Sequence, residues 1–296
     1  MVAVILFRKQ IVFSKHALRF QDVFSQIFAI SVLSFIAGVS WLLIDFFVKR
    51  FVLELSGEGS NGIVQSVAKV TDLYPNLALA WLAMHLFPLL GEKKEDTTFV
   101  AATVERTMSV AMTIIIPIII VLFAFRGLIL EIIYKEEFVQ ASLYFGAMLI
   151  TGIPKVFTWV IGIALLPIGM KRVWFYSTMI YTLLYAGVAI IGVSTELSFY
   201  AIPLALVISL TVQSGYVLGE FKKRGIMFSK QFYEQLMLFC IVMALFSVSL
   251  FYEYIQFAVI PFFVFFLARY NLLKEIKEKI TAVVLGSSNE QKSNSK

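Results

Sequence analysis

In the stretch GIVQSVAKVTDLYPNLALAW, residues 62–81, four polar side chains interrupt an otherwise apolar run: Gln65, Lys69, Asp72 and Asn76. They recur at i, i+4, i+7 and i+11, and at 3.6 residues per turn that spacing places all four on one helix face. Farther along, Thr151, Lys155, Thr158 and Gly162 repeat the interval. Lysine is a point charge suited to phosphate, and its pull on an anion strengthens where the dielectric is low. Asp72 can modulate Lys69 or take part in coupling to protons or sodium. The chemistry on offer is capture of an anion rather than the making or breaking of bonds.

Each of these charges also has a plain structural account. Lys69 and Asp72, three residues apart, can neutralise each other and so ease insertion of their helix, and Lys69 lies close enough to the outer end of its run to snorkel. Lys155 lies near the middle of its run, where snorkelling is hard. Gly152 and Pro154 weaken the helix ahead of it, and Pro154 leaves the carbonyl four residues earlier without its usual donor. That pattern suits a cavity, as in discontinuous transporter helices, or a packing kink with Lys155 bonded to backbone. Arg106 shares a face with Thr103, Ser109 and Thr113 near the cytoplasmic side, where it serves the same anion or anchors the interface. Asp45, four residues before Lys49, reads as half of a local ion pair.

Other chemistry is poorly represented. There is no Gly-rich phosphate loop, no Ser/His/Asp arrangement and no acidic cluster in a long loop, and the stretches between spans near 49–66 and 219–232 are too small for a catalytic domain. The single Cys240 excludes an internal disulfide, and His16 and His85 are isolated, with no metal-ligand spacing. No enzymatic activity and no cofactor are expected.

The elements that must position these residues are membrane helices. Of the 296 residues 60% are hydrophobic and 15% charged, with a mean hydropathy of +0.88, which leaves too little polar surface for a soluble globule of this length. A bilayer core of about 30 Å needs roughly 20 apolar residues per helix. Eight runs qualify: 27–48, 67–90, 100–125, 139–166, 173–193, 198–218, 233–252 and the short 255–268. The loops between them are brief, which favours helices over a barrel. The expected fold is all-α, a polytopic helix bundle. The net charge of +6 comes from basic residues beside helix ends, so it reports topology and not nucleic acid. With the N-terminus in the cytoplasm, only Lys49, Arg50, Arg126 and Lys135 of the helix-flanking basic residues face out, and both termini lie inside. Residues 17–28 suit a helix lying at the interface or an ordinary linker, and residues 271–285 suit a helix at the interface, in contact with membrane lipids and followed by a polar tail.

With the polar stripes placed, a series of short motifs can be read in order: LLIDFFVKRFVLELSGEGSNGIVQSVAKV, HLFPLLGEKKED, FVQASLYFGAML and LLPIGMKRVWF. Over about residues 20–225 the chain resembles the C-terminal half of bacterial polysaccharide flippases, the O-antigen and lipid-linked oligosaccharide translocases of the multidrug/oligosaccharidyl-lipid/polysaccharide exporter superfamily. In that family an aspartate followed by a basic residue ends a helix, as Asp45 with Lys49 and Arg50 do here. A Gly-x-Tyr-x-x-Ala motif opens the next helix, and here Gly62 and the residues to Ala68 stand in its place without the tyrosine. Pro88 to Asp96 match a cytoplasmic turn, and Phe138 with Ala141 match an outer Phe-x-x-Ala.

The resemblance implies two six-helix lobes around a central cavity open alternately to either side, with cationic residues receiving the pyrophosphate of an undecaprenyl-linked sugar. It implies residues 27–220 as one six-helix lobe, 1–26 as its lead-in, 221–270 as two added helices and 271–296 as interfacial helix and tail, in a bacterial inner membrane. Lys69, Lys155 and Arg106 would draw the diphosphate of a lipid-linked oligosaccharide, with Asp72, Gln65, Asn76, Thr151 and Thr158 beside them. The opening MVAVILFRKQ reads as the tail of a helix, so the expectation is a fragment of a longer two-lobed protein. A separate partner lobe or a second copy would serve the same need. A drug exporter of the same superfamily would favour acidic cavity residues. A membrane polymerase or ligase would need a larger outer loop.

Overall fold

The computed structural model describes residues 20–134 and 141–251. These residues are helical almost throughout, with no strand among them, and they form an all-α polytopic bundle. The eighth apolar run (255–268), the C-terminal surface helix and tail, Lys135, Phe138 and nearly all of the lead-in lie outside the described residues. In chain order the helices are α1 (Phe20–Glu92), α2 (Thr97–Ala124), α3 (Arg126–Ile133), α4 (Ser142–Ile150), α5 (Gly152–Leu165), α6 (Lys171–Val193), α7 (Ala201–Lys223) and α8 (Lys230–Phe251). A 3-10 turn at Ser198–Tyr200 joins α6 to α7.

Two expected spans, 27–48 and 67–90, fall inside the single α1. At 1.5 Å per residue a straight helix of 73 residues would run about 110 Å, several times a bilayer core. It is not straight. Gly57 interrupts it with φ 83° and ψ 174°, a conformation that only glycine adopts without strain. On a straight helix Asp45 and Asp72 would lie about 40 Å apart, yet both are close enough to Tyr185 of α6 to act on it electrostatically. Trp41 also stacks on Tyr181, with ring centroids 5.0 Å apart. The two arms therefore fold back at Gly57 and run along α6 together. Ser56, beside the turn, bonds Ser198 at 2.6 Å and ties the reversal to the α6–α7 connection.

Six described helices are long and apolar enough to cross a membrane, α4 with α5 counting as one broken span. With the arms of α1 separated, they match the first seven apolar runs of the sequence. Helix directions alternate. Ser56, Ser66, Tyr134 and Ser198 meet at one end, where the Tyr134 hydroxyl donates to the Ser66 carbonyl at 2.8 Å. At the other end Glu105 accepts from the backbone N–H and, at 2.9 Å, the hydroxyl of Ser229 just before α8. Lys93, Lys94, Lys171, Arg172, Lys222, Lys223, Arg224 and Lys230 flank helices at this second end.

Helix α8 docks on the bundle through one stripe and leaves its other side open. Phe232, Phe239, Val242 and Phe246 are buried, spaced as one stripe, while Tyr233, Met237, Ile241, Leu245 and Val248 are exposed. Phe246 meets Phe123 of α2 edge-on at 4.9 Å, and Phe232 packs near Phe157 of α5. From Leu236 to Leu245 the side chains on both faces are apolar apart from Cys240, so composition alone hid the docked stripe.

The turn between α1 and α2 is set by a local cap. Asp96 accepts from the N–H groups of Thr98 and Phe99 at 3.1 and 2.9 Å and from the Thr98 hydroxyl at 2.6 Å. The Thr98 hydroxyl, followed by these backbone donors, holds the Asp96 carboxyl below its ordinary value of 3.8. A depressed folded value means the contribution to stability is complete above the ordinary carboxylate range and is lost as the pH falls through the folded value. In thermal unfolding of the purified protein at neutral pH, Asp96→Asn should keep most of the cap and Asp96→Ala should lower the midpoint.

Candidate functional site: a charged face inside the bundle

Gln65, Lys69, Asp72 and Asn76 are all exposed, while their neighbours Val64, Val67, Thr71 and Pro75 are buried. The polar stripe is thus a real face of the second arm of α1, turned away from the core. Thr71 satisfies its hydroxyl on the carbonyls of Val67 and Ala68, leaving the stripe to the longer side chains.

The structure pairs Asp72 with Lys155 and not with Lys69. Lys155 Nζ donates to Asp72 Oδ1 at 2.7 Å, joining the second arm of α1 to α5. The lysine side chain is 21% exposed and the aspartate 53%, so the cation is held against protein while the carboxylate faces outward. Lys155 lies mid-way along the span Ser142–Leu165, and its partner must be close to that depth. Lys69, one turn from Asp72, is therefore about 4.5 Å farther out, deeper than its place in the apolar run suggested. Among the described residues Lys69 makes no ion pair.

The local backbone explains why Lys155 can be there. The N–H and hydroxyl of Thr151 both bond the Met148 carbonyl, at 3.2 and 2.7 Å, which closes α4 early. Pro154 has no N–H to return to the preceding turn, and the ladder resumes when Lys155 N donates to the Thr151 carbonyl at 3.0 Å. A charged residue thus begins a fresh helix at mid-span.

The remaining candidates scatter. Thr151 is fully buried and bound to its own chain. Thr158 is 5% exposed, bonding Ser214 at 2.7 Å and the Leu210 carbonyl at 3.3 Å, so it fastens α5 to α7. The 3.6-residue repeat groups both threonines with Lys155, but a helix packed on several sides divides even one face among different neighbours. Arg106 is exposed on α2, with no hydrogen bond or ion pair to Lys69, Asp72 or Lys155 among the described residues. The Asp45–Lys49 pair forms as its spacing indicates, at 2.6 Å.

One neighbour of the site is absent from the stripe pattern. Tyr74 points its hydroxyl into the interior, where it has no hydrogen-bond partner among the described residues. It packs against Gly152, one turn before Lys155, so closely that a Cβ on Gly152 would overlap the hydroxyl oxygen. Two residues after Asp72, Tyr74 falls outside the i+3/i+4 logic that reveals the stripe. The only sequence signal is a tyrosine beside a proline in a helix facing a Gly-x-Pro-Lys segment.

No group of His, Cys, Asp or Glu among the described residues has the arrangement of a metal site. What the residues offer is two lysines and one carboxylate at neighbouring depths, with two amides farther along the same face, a set able to bind an anion and to exchange partners. No curated protein and no solved structure matches the chain. Its similarity to known proteins rests on residues 2–143, a stretch holding the whole polar stripe and Arg106 but ending before Lys155, which match a family described as "Polysaccharide biosynthesis protein".

Proposed function

We propose that this chain translocates a lipid-linked oligosaccharide across the bacterial cytoplasmic membrane for cell-surface polysaccharide assembly, as one lobe of a two-lobed flippase. The observation that carries the reading is Lys155, held by Asp72 at mid-span beside a polar face that already contains Lys69. A charge at that depth costs about 2.5–3.5 kcal/mol on insertion scales, and a diphosphate offers a compensating partner that neither a neutral lipid nor a cationic drug provides. The polysaccharide-biosynthesis match supports the substrate class.

An exposed row of Gln65, Lys69, Asp72 and Asn76 cannot face lipid tails, so protein or water must cover it. A second lobe supplies that cover, from a longer form of the chain, a separate partner or a second copy. No covalent step is involved, and both termini lie in the cytoplasm.

The test is binding by the full chain in lipid nanodiscs. A polyprenyl-diphosphate oligosaccharide should bind saturably and be displaced by inorganic pyrophosphate, while a neutral glycolipid with the same sugar should not compete. Equal binding of the two lipids would overturn the reading.

A further inference from the structure

We infer that Asp72 is an internal stand-in for the anionic ligand: it occupies Lys155 while the site is empty, and a bound diphosphate must displace it and so untie α1 from α5. This rests on the reading above and concerns its regulation. Three observations lead to it.

The first is the choice of partner. Asp72 has a lysine one turn away on its own helix, yet its carboxylate reaches across to Lys155 at 2.7 Å. Asp72 is taken by Lys155, which leaves Lys69 beside it as a positive charge with no ion pair among the described residues. That charge attracts an anion, but a diphosphate spanning both lysines brings its oxygens against the Asp72 carboxylate, and the repulsion between these like charges favours release of Lys155 from Asp72.

The second is where the pair sits. It crosses from the second arm of α1 to the first turn of α5, next to the Thr151–Pro154 interruption where the backbone ladder is weakest. A tie at that point adds to the packing of Tyr74 on Gly152 between the same two elements. The third is the asymmetry of exposure: Asp72 is the more open partner, so it can turn away from Lys155 without disturbing the core, whereas Lys155 stays in place to receive the ligand. Occupancy of the site is thereby converted into loss of an inter-helix contact.

The experiment measures the Kd for inorganic pyrophosphate by the full chain in nanodiscs, for the parent, Asp72→Asn, Asp72→Ser and Asp72→Glu. Removing the competitor should tighten binding about threefold to tenfold in Asp72→Asn and Asp72→Ser, the scale of a partly exposed ion pair, and Asp72→Glu should restore the parent value. In a Lys155→Gln background the gain from Asp72→Asn should vanish. Unchanged or weaker binding in both folded neutral variants would overturn the inference and leave the proposed function standing. If the parent binds no pyrophosphate, the lysines are not a diphosphate site and both readings fall.

Discussion

Lys155→Ala is expected to abolish export of surface polysaccharide in a flippase-deficient strain carrying the otherwise complete protein, with its amount in the membrane unchanged. A hydrogen bond to a charged group contributes about 1.5–3 kcal/mol net, more where water is scarce, which corresponds to a roughly tenfold to hundredfold loss of affinity for the diphosphate. The real loss should lie at the upper end. Without its lysine, Asp72 is left as an unpaired negative charge beside the incoming phosphates, and the site changes from net positive to neutral. Folding should survive, because Asp72 is half exposed and can turn to water, and because losing a mid-span charge eases insertion. Lys155→Arg keeps the charge and should retain part of the activity, though a planar fork does not match a point charge in the same space. Normal export by the alanine variant at normal protein levels would remove Lys155 from the pathway.

The largest effect on stability should come from Gly192→Leu. Near the end of α6, Gly192 faces Ala201 at the start of α7 so closely that a Cβ would overlap the alanine methyl. Within a bilayer, helices are held by close packing of small residues more than by a hydrophobic drive, and α6 with α7 is an extended antiparallel pair. A leucine would have to force the pair apart, and overpacking of this kind costs about 1–3 kcal/mol. Gly187, one and a half turns earlier on α6, is exposed with open space around it and gives a control on the same helix. Thermal unfolding of the purified protein should show Gly192→Leu lowered by several degrees and Gly187→Leu unchanged or slightly raised, since leucine is the better helix former. Equal midpoints would mean that the close approach carries no packing energy.

The bundle itself was legible because lipid simplifies the code: apolar runs of about 20 residues can only be helices, and seven of them reappear among the described residues. The stripe from Gln65 to Asn76 was legible for the same reason that any amphipathic face is. Partner choice was not. Periodicity reports which residues share a face of one helix, so it offers Lys69 to Asp72 and cannot offer Lys155, which lies more than eighty positions along the chain. Thr151 and Thr158 show the converse. Each has the right spacing, but a hydroxyl small enough to be satisfied by a nearby carbonyl is drawn inward. Tyr74 escaped altogether, because its hydroxyl lies at the far end of a ring that carries it off the stripe.

The break at Gly57 makes two crossings out of one helix with no loop between them. An ordinary connection of several flexible residues would let the two arms tilt and rotate independently. Here the hydrogen-bonded ladder resumes immediately on either side, so the torsions of a single residue fix how Asp45 on one arm is turned relative to Asp72 on the other. When the second arm moves, any change in its angle to the first arm, which carries the Trp41–Tyr181 stack on α6, has to be taken up by the two torsions of Gly57. A displacement begun at the ion pair is thus concentrated at one residue and is not absorbed in slack chain.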